Sequence, residues 1–184
     1  KTFSAINYDH SKFLIIDPNI IWGTYYGGEV GDEIAEVVVD SKDKPTIDGN
    51  TVSLNHIASS GAYQATFGGG VYDYFIANFK NSGKLNWATY FGGNDKENCY
   101  GLGIDNNDHP IAVGNSESQG LATVGAYKDS VSAGGASDIL IAKFGTDGSL
   151  MWCTYYGGES AENARNCVCD GKGKIYLSGT TSST

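Results

Sequence analysis

An all-β chain of short antiparallel strands, grouped four to a unit, is the fold class that the sequence predicts. Three observations carry it. The stretch Trp-x-Thr-Tyr-[Tyr/Phe]-Gly-Gly begins at Trp22, Trp87 and Trp152, each copy 65 residues after the last. A strict period of that length marks a repeat architecture. Glycine supplies 26 of 184 residues against 3 prolines, so tight corners with positive φ are available throughout. Charged residues are only 18% of the chain, too few for long solvated helices, while Tyr, Phe and β-branched residues suit pleated strands.

The chain divides at the first repeat. Residues 1–19 read as the end of a preceding domain or a lead-in strand, and 20–184 as about two and a half repeats. Phe13 to Ile16, a turn at Asp17-Pro18-Asn19, and Ile20 to Tyr26 predict a β-hairpin. It sits where later repeats place their third and fourth strands.

After each Gly-Gly come two short strands joined by a polar turn. The first strands are Ile34 to Asp40, Cys99 to Asp105 and Ala164 to Asp170; the second begin at Pro45, Pro110 and Ile175. Asp40, Asp105 and Asp170 open the turns, where Asp commonly caps neighbouring backbone N–H groups. A longer loop follows, with Gly61-Ala62-Tyr63-Gln64 in one repeat and Gly125-Ala126-Tyr127-Lys128 in the next. Asp73 and Asp138 restore the register. Tyr74 to Lys80 and Ile139 to Phe144 are third strands, and Gly-bearing turns lead into Trp87 and Trp152, which open the fourth.

Four strands in an up-and-down meander every 65 residues describe a β-propeller blade. Apolar residues on both faces of the motif strand fit a sheet sandwiched between neighbours. A β-sandwich would show cleaner alternation. About two and a half blades is fewer than the usual four to eight, which predicts a fragment, or a piece held by other chains that cover its end sheets.

The formal net charge of -9 argues against phosphate-backbone partners, which need clustered Lys and Arg. No apolar run approaches the roughly 20 residues that span a bilayer, and the first residues lack a signal-peptide layout. Cys99, Cys153, Cys167 and Cys169 could pair in three ways. Cys167 and Cys169 share one strand face and are poorly placed to bridge each other, so buried free thiols are expected.

The composite pattern, Trp-x-Thr-Tyr-[Tyr/Phe]-Gly-Gly, an apolar strand ending in Asp, Gly-Ala-Tyr, a Gly-rich turn, Asp and an apolar strand, resembles the bacterial SBBP (beta-propeller) repeat family over Ile20 to Thr184. Tyr8-Asp9 with Leu14-Ile15-Ile16-Asp17-Pro18 looks like the end of an extracellular domain that often precedes such repeats. The resemblance implies a large exported surface or secreted protein, often from bacteria with a type IX secretion route, and no enzyme activity. The first repeat departs from the pattern at Lys44-Pro45-Thr46-Ile47-Asp48, where the family commonly has a Gly-Asn turn.

The candidate binding residues are a column of carboxylates after Gly-Gly: Asp32, Glu97 and Glu162, with Glu29, Asn94 and Glu159 three residues earlier. Calcium takes several oxygen ligands of this kind; the competing and favoured role is fixing the crossing between units. Asp105 to His109 lacks the Gly and Glu of an EF-hand loop. His10, His56 and His109 show no metal-ligand spacing and are expected as exposed loop residues. No nucleophile elbow, zinc-protease helix or P-loop is present, and Gly68-Gly69-Gly70 reads as a bend. The motif aromatics favour core packing over a carbohydrate platform. The function expected is a non-enzymatic extracellular scaffold or adhesion module binding protein or glycan, without cofactor. The alternatives are the propeller of a secreted glycan-active enzyme and a structural subunit of a surface layer or filament.

Overall fold

The computed structural model describes residues 11, 19–132 and 136–184. The expected third strand of the lead-in, Phe13 to Ile16, and His10 lie outside them. Among the described residues the chain is all β, with no helix and hence none long and apolar enough to cross a membrane.

Strands β1 (Asp32–Val39), β2 (Pro45–Thr51), β3 (Asp73–Phe79) and β4 (Leu85–Phe91) form one antiparallel sheet in that order. β5 (Glu97–Ile104), β6 (Pro110–Ser116), β7 (Asp138–Phe144) and β8 (Leu150–Tyr156) form a second, again in chain order. β9 (Glu162–Cys169) and β10 (Ile175–Thr181) make a two-stranded sheet. The predicted meander is therefore present in both complete units. Each first strand carries a bulge, at Ile34/Glu36, at Cys99/Gly101 and opposite Ser178/Gly179, which adds local twist at the same place in every unit.

The sheets stack face to face, β5 against β1 and β2, and β9 against β5 and β6. Tyr74, Ile76, Trp87 and Phe91 of the first sheet share a core with Leu140 and Phe144 of the second. The second sheet's other face, with Ile111, Val113 and Ile141, packs on Ala164 and Cys167. Both faces are dry, so β3 and β6 are buried along their whole length. This is why the strands read as continuous apolar runs and not as alternating ones. Polar stitches repeat with the packing: Asn50 Oδ1 accepts from Cys99 N–H at 2.6 Å, and Asn115 Oδ1 from Ala164 N–H at 2.8 Å.

The motif tryptophan is a joint between units. Gly83 and Gly148 take positive φ, 78° and 85°, in the turns before β4 and β8. A Cβ on either would stand 2.7 Å from an indole, that of Trp22 at Gly83 and that of Trp87 at Gly148. Trp87 also donates its Nε1–H to Thr146 O at 2.8 Å. Each indole therefore lies over the glycine turn of the unit that follows.

The lead-in departs from expectation. Residues 19–28 form no strand, and Ile20, Ile21 and Tyr25 are exposed. The physical reason is local: a fourth strand needs a third beside it to take its hydrogen bonds, and none of the described strands offers one. Trp22 and Tyr26 nevertheless dock on the first sheet, Tyr26 at 5.4 Å from Phe75 and 5.5 Å from Phe79 between ring centroids.

The four cysteines are free, with Cys99, Cys153 and Cys167 buried and Cys169 half-buried. Cys167 and Cys169 both face Gly103, the shared strand face that the spacing predicts. Asp40 Oδ1 accepts from Lys42 and Lys44 N–H, Asp105 Oδ1 from Asn107 and His109, and Asp170 Oδ1 from Lys172 and Lys174, all at 2.8–2.9 Å. These are the turn caps expected of those aspartates.

Candidate functional site

The carboxylate column lies where the chain passes from one sheet to the next. Leaving β4 or β8, the backbone turns at Gly-Gly and must re-enter a sheet with its N–H groups satisfied. The second glycine of each pair donates to the carboxylate four residues on: Gly28 to Asp32 at 2.7 Å, Gly93 to Glu97 at 2.7 Å and Gly158 to Glu162 at 3.0 Å.

The other carboxylate oxygen takes a hydroxyl from the end of the second strand. Thr51 donates to Asp32 Oδ1 at 2.5 Å, Ser116 to Glu97 Oε1 at 2.8 Å and Thr181 to Glu162 Oε1 at 2.6 Å. Two residues further, Ser53, Ser118 and Ser183 each accept from a backbone N–H of the crossing loop, that of Val30, Asp95 or Ser160, at 2.9–3.0 Å. The lock therefore recurs three times with the same chemistry. It engages the carboxylates as acceptors inside the crossing, and among the described residues no group of three His, Cys, Asp or Glu side chains is placed to share a metal. Glu29 turns away from Asp32 and accepts from Leu54 and Asn55 N–H at 3.0 and 3.2 Å.

A second carboxylate column, not singled out from the sequence, meets the first. Asp73 and Asp138 open β3 and β7 and are fully buried. At Gly92 a Cβ would collide with Asp73 Oδ1 and stand 2.7 Å from Glu97 Oε2; at Gly157 it would collide with Glu162 Oε2 and stand 2.6 Å from Asp138 Oδ1. Only glycine leaves room for both acids. Asp73 Oδ1 and Asp138 Oδ1 have no hydrogen-bond partner. The signal available in the sequence was the conserved spacing of the two aspartates together with the first glycine of each pair.

The two pairs are charged differently. In the third unit's crossing, Lys128 Nζ donates to Asp138 Oδ2 at 2.6 Å and to Gly157 O at 3.0 Å. In the preceding one Gln64 stands in its place and donates to Asp73 Oδ2 at 3.2 Å, aided by Gly68 N–H at 2.6 Å. Burial pushes the Asp73 carboxyl up to about 7, the Gly68 hydrogen bond opposes the shift, and the Glu97 charge adds to it. Burial raises Glu97 as well. At Glu162 burial is outweighed by bonds from Ser183, Thr181 and Gly158 and by Lys128, so its carboxyl is lowered.

Two other ionisable clusters sit between units. Asp48 is buried beneath Cys99, whose Sγ–H donates to Oδ2 at 2.9 Å, and burial raises its carboxyl to about 7. It belongs to the departure noted at Lys44 to Asp48. Asp105 is held by Lys143 Nζ at 2.7 Å and His109 Nδ1 at 3.3 Å. Burial there is outweighed by Lys143 and by the turn N–H groups, which bring it down to about 2. His109 is thus half-buried in an ion cluster and not an exposed loop residue, while His56 is exposed, 3.8 Å from Glu29. Gly69 and Gly70 take positive φ and pack on the Asn94–Asp95 backbone, the bend expected there.

No protein-family model matches the chain, and no curated protein matches it.

Proposed function

We propose that this chain is part of a non-catalytic β-propeller scaffold acting outside the cell, whose loops bind a protein or glycan partner. The observation that carries the reading is the fate of the acids. Asp32, Glu97 and Glu162, the residues best spaced to do chemistry, are each occupied by a glycine N–H and a strand-end hydroxyl. Stacked four-stranded meanders, each starting beside the first strand of its neighbour, support the propeller geometry, and the likeness to SBBP repeats supports an exported surface role.

The loops offer what the crossings do not. Tyr63 and Tyr127, at matching places in the Gly-Ala-Tyr loops, are exposed by 53% and 82%, and Tyr127 stacks on Tyr156 at 6.1 Å. An exposed ring with a hydroxyl at its edge suits the apolar face of a sugar or a peptide side chain. A glycan array and a panel of extracellular proteins test the proposal. Saturable binding that weakens at least about tenfold in Tyr63→Ala/Tyr127→Ala, roughly 1.4 kcal/mol, is expected. Turnover of a bound glycan, or no binding to either panel, refutes it.

A further inference from the structure

We infer that the chain docks head-to-tail onto a second copy of itself, the lead-in segment 19–26 of one molecule supplying the outer strand that the β9–β10 pair of the other lacks. The inference rests on the propeller reading above. Its first support is that the lead-in already occupies the place of a fourth strand. Trp22 lies over Gly83 as Trp87 lies over Gly148. Tyr26 meets Phe79 at 5.5 Å and 86°, as Phe91 meets Phe144 at 5.4 Å and 89°. Its opposite face is bare. Tyr25 is fully exposed, at 104%, whereas its motif counterparts Tyr90 and Tyr155 are at 1% and 0%.

The other end of the chain is the converse. β9 and β10 are the first two strands of a unit, and no described strand pairs with the free edge of β10. Beside that edge runs a groove of about 180 Å³, lined by Ile139, Tyr156 and Leu177 among others. One unit earlier the matching residues, Tyr74, Phe91 and Ala112, share a core with Leu140 and Tyr155. Tyr25 is the motif counterpart of Tyr155, so the groove lacks the kind of ring that the lead-in leaves exposed.

The polar chemistry matches too. Tyr90 donates its hydroxyl to Ser53 O at 2.9 Å and Tyr155 to Ser118 O at 2.6 Å. Ser183 is the next residue of that series, so Tyr25 of one copy is placed to donate to Ser183 O of the other. The lead-in turn, Asp17-Pro18-Asn19, differs from the glycine turns under Trp22 and Trp87, and Trp152 is left out of the expected contact. The occupant is thus an added strand whose backbone bonds give affinity and whose alternate side chains give register. A heterologous contact of this kind closes into a ring when the rotation allows. Ten strands are in place; with two more at the lead-in positions, two copies hold enough for about six sheets of four, within the usual range.

Light scattering on the 184-residue chain across the micromolar range, with far-UV circular dichroism on the same samples, tests the inference. A two-copy mass is expected, and Tyr25→Asp, which changes a side chain exposed in the single molecule, should raise the dissociation constant at least about 30-fold, the loss of one aromatic anchor. Val124→Asp, on another exposed loop, should leave the mass unchanged. A single-copy mass with an intact β spectrum overturns the docking and leaves the propeller reading standing. A two-copy mass indifferent to Tyr25→Asp overturns it as well, since another surface must then hold the pair. Loss of β structure in the unmodified chain sinks both readings.

Discussion

Replacing Gln64 with lysine should move the pH dependence of stability, because it gives the Asp73–Glu97 pair the ammonium that Asp138–Glu162 already has. Asp73 is fully buried and its carboxyl is pushed up to about 7, chiefly by burial, against about 3.9 in an unfolded chain. The folded state therefore holds this proton more tightly than the unfolded state. Its cost is absent below about pH 4, grows as pH rises to about 7, and is fully present above that. The interval corresponds to ~4 kcal/mol as an upper bound. A lysine placed as Lys128 is, 2.6 Å from its aspartate, would hold Asp73 ionised and remove most of that slope. Gly92 N–H would lose Gln64 Oε1, its acceptor at 3.0 Å, which subtracts ~1 kcal/mol. The net expectation is a gain of ~1–3 kcal/mol above pH 7 and little or none at pH 4. Urea unfolding followed by circular dichroism from pH 4 to pH 8.5 reads this directly, with Lys128→Gln as the converse. Parallel pH profiles for Gln64→Lys and the unmodified chain would refute the account of the pair.

Other expectations concern the locks and the thiols. Glu97→Ala leaves Gly93 N–H and the Ser116 hydroxyl without their acceptor and should cost ~2–4 kcal/mol in urea unfolding, while Glu97→Gln, which keeps both acceptor positions on one side chain, should cost clearly less. Gly157→Ala drives a methyl into Asp138 and Glu162 and should lower the melting temperature by at least about 5 °C, corresponding to ~2 kcal/mol in a chain of this size; an unchanged melting temperature would mean that the two acids do not converge there. Burial pushes the Cys153 and Cys167 thiols up to about 12, so both should resist a thiol reagent at pH 8 in the folded chain and react on unfolding. Lys143→Met strips the ammonium from Asp105, whose lowered carboxyl adds stability above about pH 4 that is lost as pH falls through about 2; acid unfolding should begin at a higher pH in this variant.

The repeat made the strands legible. Once Trp22, Trp87 and Trp152 set the period, the apolar runs between them could only be strands of the same unit, and the aspartates at 40, 105 and 170 marked the turns. Asp32, Glu97 and Glu162 were visible as a column for the same reason. What they touch was not. Thr51, Ser116 and Thr181 reach them only because β1, β5 and β9 pair antiparallel with the strand that follows, a register that spacing alone does not announce. Asp73 and Glu97 meet across a crossing and a sheet edge, and nothing in either segment advertises the other. The lead-in shows the opposite limit. Ile20 to Tyr26 has the composition of a strand, yet strand state depends on a neighbour that local sequence does not encode.

Each crossing lock is short-range in the chain: Gly28, Asp32, Thr51 and Ser53 all lie within one stretch shorter than a repeat, as do their counterparts after Gly93 and Gly158. A unit therefore carries the whole of its own hinge. Inserting or deleting a multiple of 65 residues would leave every hinge intact and change only how many there are, so lineages of such chains can lengthen or shorten by duplication without inventing a new joint, and each added unit can fold against the one before it.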